Sequence, residues 1–144
     1  MAGVLYGVVI AGNSVDPAAT EARRKEIRDH RLASMRPPRA TSGRSHANGG
    51  TATPWGDSLV VHSHGHRAAT VACKHCGTVL GPLKADWRDL AGVVTLTGEQ
   101  LGPYVEVHDE LVAQQFVCPS CAASLWVEVL SPKAPPAPDF ALAT

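Results

Sequence analysis

The chain has 144 residues, and its thirteen Lys and Arg balance thirteen Asp and Glu, so no global basic field draws it to nucleic acid or to an anionic membrane. Three Trp, two Tyr and two Phe are few aromatics for a large self-sufficient core, and eleven Pro with thirteen Gly point to much irregular chain.

Val4-Leu5-Tyr6-Gly7-Val8-Val9-Ile10 is a nearly continuous apolar run, the pattern of a strand buried on both faces. Ala11-Gly12-Asn13-Ser14 marks a turn. Asp16-Pro17 then starts a helix, with aspartate as N-cap and proline at the first helical position, and the pattern predicts helix over residues 17–34. Its apolar positions, Ala18, Ala19, Ala22, Ile27 and Leu32, form a thin stripe, while Glu21 and Lys25 sit four apart in the favourable order. A lone strand and a thinly apolar helix do not make a stable domain. Residues 1–34 therefore read as a strand-helix assembly arm rather than a floppy extension, because a doubly buried strand needs neighbours on its edges and faces. The N-terminus lacks a basic region followed by an apolar stretch and cleavage site. No apolar run approaches the length of a membrane span, so the expectation is a cytoplasmic protein with no membrane partner.

Residues 35–57 hold Pro37-Pro38, Gly49-Gly50 and Pro54 with many Ser, Thr and Asn, and read as a long irregular linker that cannot fold alone. Arg36, Arg39 and Arg44 make it locally basic, which a solvated linker explains better than contact with nucleic acid. Ser58-Leu59-Val60-Val61-His62 looks like the first strand of a C-terminal domain spanning 58–130. His62, His64 and His66 alternate, and imidazoles two apart on a strand share a face, which makes them a metal-cluster candidate. No carboxylate stands beside them, so exposed histidines at a turn are the plainer reading.

The chemistry of the sequence is concentrated in its four cysteines, Cys73 and Cys76 in Cys73-Lys74-His75-Cys76-Gly77, and Cys118 and Cys121 in Cys118-Pro119-Ser120-Cys121. Each pair is a Cys-x-x-Cys that presents two sulfurs from one short loop, and two such loops complete a closed tetrahedral zinc site. Gly77 suits a position of positive φ after the second sulfur, and Pro119 stiffens the other turn. His75 reads as exposed on the turn rather than as a ligand. β-rich runs flank each loop: 69–72 and 78–80 around the first, 115–117 and 124–130 around the second. The pattern is two hairpins with a knuckle at each tip, the sequence form of a zinc ribbon. Disulfides are disfavoured in a cytosolic protein, and no βαβ context supports a redox pair. Iron fits the same four sulfurs as zinc.

Between the knuckles, Asp86-Trp87-Arg88-Asp89-Leu90 suggests a turn or short helix anchored by the tryptophan. Val93-Val94-Thr95-Leu96 and Tyr104-Val105-Glu106-Val107-His108 read as strands, and residues 111–116 lead into the second knuckle. Residues 131–144, with Pro132, Pro135, Pro136 and Pro138, read as an extended tail, either docked through Phe140 and Leu142 or disordered. The fold class is thus mainly β: a decorated zinc ribbon with an N-terminal arm and a long linker. No phosphate loop, dinucleotide glycine fingerprint, nucleophile elbow or carboxylate pair appears, so no catalytic residue is assigned to the chain itself.

The stretch 59–130 resembles the small zinc-containing subunit of the acetone and acetophenone carboxylases. The matching features are Cys-x-x-Cys-Gly, Asp86-Trp87-Arg88, the stretch 104–117, Cys-Pro-x-Cys and Leu125-Trp126-Val127-Glu128. Tyr6-Gly7-Val8-Val9-Ile10, Val15-Asp16-x-Ala18-Ala19-Thr20 and the run from Arg23-Arg24 to Arg31-Leu32-Ala33 are similar to the C-terminal tail of hydantoinase B-type subunits. Those are large subunits of the same carboxylases, and the two resemblances together cover about two thirds of the chain. Length and arm favour the acetophenone type. The resemblance implies an ATP-dependent carboxylation of a methyl ketone by bicarbonate. ATP and Mg would belong to large hydantoinase A/B-like partner subunits, and this chain would be a structural subunit with zinc. The alternative is a free-standing zinc-ribbon adaptor for nucleic acid or a regulatory protein. Glu106, Asp109, Glu110 and Glu128 beside the knuckles argue against nucleic acid.

Overall fold

The structure, a computed structural model, describes residues 6–40, 50–65, 67–102 and 104–133. It is mainly β, as expected, and every sheet is antiparallel. β1 (Ile10–Ala11) and β2 (Ser14–Val15) form a minimal hairpin, and α1 (Pro17–Ser34) follows. β3 (Thr51–Trp55), β4 (Leu59–His64), β5 (Arg67–Cys73) and β6 (Val79–Pro82) make a four-stranded meander. A 3₁₀ turn, η1 (Trp87–Leu90), leads into the second sheet of β7 (Gly92–Leu96), β8 (Val112–Val117) and β9 (Ser124–Leu130). One helical turn, α2 (Gly98–Leu101), lies between β7 and β8. The first cysteine pair falls at the β5–β6 connection and the second at β8–β9, so each knuckle does tip a hairpin.

The two larger sheets share one core. Leu59, Val61, Val71, Leu80, Trp87, Leu90, Val93, Phe116 and Leu125 are buried in it together with Cys73 and Cys118. Trp87 stands edge-on to Phe116, with centroids 5.5 Å apart, and to Trp55 at 6.4 Å. Such edge contacts add about 0.5–1.5 kcal/mol each beyond area burial. Few aromatics suffice because three of them meet at this point. Gly81 on β6 lets Leu90 approach where any Cβ would collide with its Cδ1.

The helix has the bounds its caps predict. Asp16 accepts from Ala19 N–H at 2.9 Å, and Pro17 opens the first turn. The expected pair of Glu21 with Lys25 does not form. Lys25 reaches Asp29 (2.6 Å) and Glu21 takes Arg28 (2.8 Å), two turns along the same exposed face.

The apolar N-terminal run is not a doubly buried strand. Among its described residues only Ile10 is in a strand, and Tyr6 and Ile10 are 69% and 60% exposed; Val4 and Leu5 lie outside the described residues. Residues 6–9 fold back along the start of α1 instead. Val9 N–H donates to Thr20 Oγ1 (3.0 Å), Asp16 N–H donates to the Val9 carbonyl (2.9 Å), and Arg24 Nε donates to the Tyr6 carbonyl (3.2 Å). Gly7 has φ +62, and a Cβ there would press on Arg24 Cγ and Ile27 Cδ1. The helix thus supplies the backbone partners a sheet would have supplied, while Val8 and Val9 are half-buried and Tyr6 and Ile10 stay exposed. Thr20 is the one buried residue of α1.

The predicted linker is structured at both ends. Arg36 and Val93 exchange two backbone hydrogen bonds (2.8 and 3.0 Å), Ala40 N–H donates to the Asp89 carbonyl (3.0 Å), and Met35 lies against Gly92. Residues 51–55 are the edge strand β3, which moves the start of the C-terminal domain back from 58 to 51. Alternation of Thr51 and Thr53 with Trp55 favours a strand, and an edge position tolerates Pro54. Residues 41–49, Arg44 among them, lie outside the described residues, as do residues 134–144 of the tail.

The stretch 104–108 is a loop, not a strand. Tyr104 is 95% exposed, and Val105 N–H closes a turn onto the Gly102 carbonyl (3.2 Å). Its alternation is real, but the segment pairs with no strand among the described residues and lies beside the helical turn instead, with the Val105 carbonyl close to Gly98. No helix among the described residues is long and apolar enough to cross a membrane.

Candidate metal centre

The two hairpins bring Cys73, Cys76, Cys118 and Cys121 together, with all four sulfurs within 4.8 Å of one another. Cys73 Sγ lies 3.9 Å from Cys121 Sγ, and Cys76 Sγ lies 3.7 Å from Cys118 Sγ. A tetrahedron with metal–sulfur bonds of about 2.3 Å has edges of about 3.8 Å. A disulfide would need about 2.05 Å, and the four thiols are free. The cluster is therefore shaped to hold one metal ion.

The knuckles repeat one backbone pattern. Cys73 N–H donates to the Thr78 carbonyl and Gly77 N–H to the Cys73 carbonyl; Cys118 N–H donates to the Ala123 carbonyl and Ala122 N–H to the Cys118 carbonyl. All four bonds measure 2.9 Å. The turn requires positive φ after the second cysteine. Gly77 provides it at φ +72, while Ala122 adopts it at φ +57, against a preference of about 1–2 kcal/mol. Backbone N–H groups of Cys76 and His75 point at the Cys73 sulfur, and those of Ser120 and Cys121 at the Cys118 sulfur. Such donors stabilise thiolates and orient ligands.

Cys73 and Cys118 are fully buried, and Cys76 and Cys121 are half-buried at the surface. Sequence reasoning read Thr78 only as flanking strand. Its buried hydroxyl sits 3.2 Å from Cys76 Sγ. The only sequence signal for this is a hydroxyl residue two places after a metal-type cysteine. His75 is outside the cluster, exposed, with Nε2 3.4 Å from Ser58 Oγ. His62 and His64 lie on β4, and His66 is outside the described residues. Among the described residues no other group of three or more His, Cys, Asp or Glu side chains converges on a point.

Thiols this close cannot all ionise without a cation among them. Cys118 is pushed well above the ordinary thiol range, first by its hydrogen bond to Cys73 and then by burial. Burial, foremost, pushes Cys121 up to about 11. Cys73 accepts the bond from Cys118 and is drawn down to about 5. A metal takes thiolates, so binding expels at least the protons of Cys118 and Cys121. The sign follows: raised thiol pKa values favour the protonated, metal-free form, so affinity falls in acid and climbs with pH. Two released protons correspond to about a hundredfold in affinity per pH unit near neutrality. Chelator competition at several pH values measures the slope, and a flat profile would contradict it.

Two segments far apart in sequence also meet beside the core. Arg88 Nε donates to Glu128 Oε1 at 2.8 Å, and the two side chains are only 13% and 17% exposed. The Arg88 guanidinium lies over the rings of Trp87 (5.1 Å) and Phe116 (6.0 Å). Asp86 caps η1 by accepting from Arg88 N–H at 2.9 Å. Glu128 is thus neutralised and drops out of the acidic set flanking the knuckles, leaving Glu106, Asp109 and Glu110 on an exposed loop.

No protein-family model matches the chain, and no curated protein matches it. The geometry itself defines what the site can do. A metal bound by all four sulfurs would have no open position for water or a carbonyl and would brace the two hairpins.

Proposed function

We propose that this chain is the non-catalytic, zinc-holding small subunit of an ATP-dependent ketone carboxylase of the acetophenone type, fastening large hydantoinase-like subunits together. The observation that carries this reading is the arm, which leaves Tyr6, Ile10 and Val15 at 69%, 60% and 53% exposure. An arm that satisfies its backbone but not its apolar side chains is suited to a partner's surface. Arg88 and Glu128 add support, because they join Asp86-Trp87-Arg88 to Leu125-Trp126-Val127-Glu128, the segments on which the resemblance rests. Zinc would be the structural brace, and ketone, bicarbonate, ATP and Mg would be handled by the large subunits.

Deleting residues 1–34 leaves the Arg36–Val93 bridge and the cysteine cluster in place. The truncated chain is expected to stay folded and metal-loaded but to lose co-purification with co-expressed large subunits. Full-yield co-purification with unchanged carboxylase activity would remove the arm from the assembly.

A free-standing adaptor is the second reading. Trp126 favours it, being 47% exposed on β9 next to the second knuckle, with the neighbouring Glu128 neutralised. An open aromatic face of this kind can stack bases. Retardation of single-stranded nucleic acid by the full chain, lost in Trp126→Ala, would select this reading over the first.

A further inference from the structure

All three tryptophans of the chain, Trp55, Trp87 and Trp126, line a single cavity of about 650 Å³ beside the core. Trp87 is buried as part of the core; Trp55 is half-buried and Trp126 is exposed, so these two can receive an occupant. Most charges on the wall are spent on one another: Arg88 on Glu128 and Arg39 on Asp89. Arg36, exposed on the rim, makes no ion pair among the described residues. Among the described residues the cavity is therefore aromatic, nearly neutral inside, and carries at its edge one cation, Arg36, without an ion pair.

We propose that the cavity is a docking groove for the chain's own proline-rich segment, residues 134–144, seated in cis. Three observations favour this occupant. β9 ends at Leu130, and both Leu130 and Pro132 already form part of the wall, so the chain leaves the described residues at the mouth of the groove. The sequence that follows, Ala134-Pro135-Pro136-Ala137-Pro138-Asp139-Phe140, suits polyproline II, which docks on aromatic-lined grooves with little loss of entropy. At about 3.1 Å per residue, the six steps from Pro132 to Pro138 span about 19 Å, more than the width of about 11 Å that a rounded cavity of about 650 Å³ would have, and Arg36 is on the same wall as Pro132 to meet Asp139. Proline rings would lie on the Trp55 and Trp126 faces, and the free carbonyls of polyproline II would accept from indole N–H groups. The tether places the segment at an effective concentration in the millimolar range, so contacts too weak to hold a separate peptide suffice in cis.

The test compares the full chain with one ending at Lys133, both metal-loaded, by the indole N–H signals in nitrogen-15 spectra and by acrylamide quenching of tryptophan fluorescence. Trp126→Phe identifies the Trp126 signal. Truncation is expected to shift the Trp55 and Trp126 signals and to increase quenching, at unchanged metal content and unchanged monomeric mass. A full-length variant with Pro135, Pro136 and Pro138 replaced by Gly is expected to behave like the truncated chain, which covers the case in which truncation disturbs folding. Superimposable spectra for all three proteins would overturn the proposal. So would a difference that appears only as the full chain dimerises, since the groove would then hold a second copy's segment.

Discussion

Replacing Cys118 by alanine is expected to abolish metal binding and unfold the β-rich domain. Cys118 and Cys73 are fully buried within the apolar core, so the ligands of the candidate centre are core side chains as well. A structural zinc site of this kind contributes an apparent 10–16 kcal/mol at neutral pH, roughly the whole stability of a small domain at about 5–15 kcal/mol. Three remaining thiolates would leave one position to water and forfeit most of that term. The metal content of purified Cys118→Ala should fall to near zero, and its far-ultraviolet circular dichroism should lose β signal. A strong chelator should do the same to the unaltered chain. Cys118→His, which restores a nitrogen ligand, should recover part of both. Undiminished metal in Cys118→Ala would show that these sulfurs are not its ligands. Metal analysis of the unaltered chain also separates zinc from iron, which the four-sulfur geometry alone does not.

The second large effect is expected at Arg88. Its guanidinium is held by Glu128 and by the rings of Trp87 and Phe116, largely away from water. Removing one partner of a buried pair leaves the other charge uncompensated, at a cost of about 3–5 kcal/mol. Arg88→Ala should therefore lower stability in denaturant by about that amount under metal saturation. Glu128→Leu alone should be comparably damaging. The double change Arg88→Met with Glu128→Leu should recover most of the loss, because it removes both charges and keeps apolar volume over Trp87. An unchanged midpoint for Arg88→Ala would mean the pair is effectively solvated, as at an ordinary exposed surface pair. A double variant worse than either single one would mean that the charges themselves hold the fold.

These two sites differ in how they were written into the chain. Cys-x-x-Cys encodes its own chemistry, because both ligands of a knuckle lie on one turn and the required φ falls on the next residue. The helix over 17–34 was legible for a similar reason: Asp16 and Pro17 act within four residues of each other. Such signals survive without knowledge of the rest of the fold. The pairing of Arg88 with Glu128 had no such signal, since forty positions separate the two residues. Each reads alone as an ordinary exposed charge, and Glu128 was counted as acidic surface until its partner was seen.

The errors have the same physical origin. The run ending at Ile10 carries the apolarity of a buried strand, but burial is a property of neighbours. In this chain residues 6–9 find their backbone partners on Thr20, Asp16 and Arg24 instead. Residues 104–108 alternate like a strand, yet they pair with none among the described residues and lie beside the helical turn 98–101 instead. Thr51–Trp55 looked like linker because of its composition, and it becomes β3 because β4 offers an edge and Trp55 can reach Trp87. Local chemistry, carried by caps, knuckles and turn residues, was decided in the sequence. Which strands find partners, which charges are neutralised and which apolar side chains stay exposed was decided only when distant segments came into contact, because each depends on a free energy shared between two places in the chain.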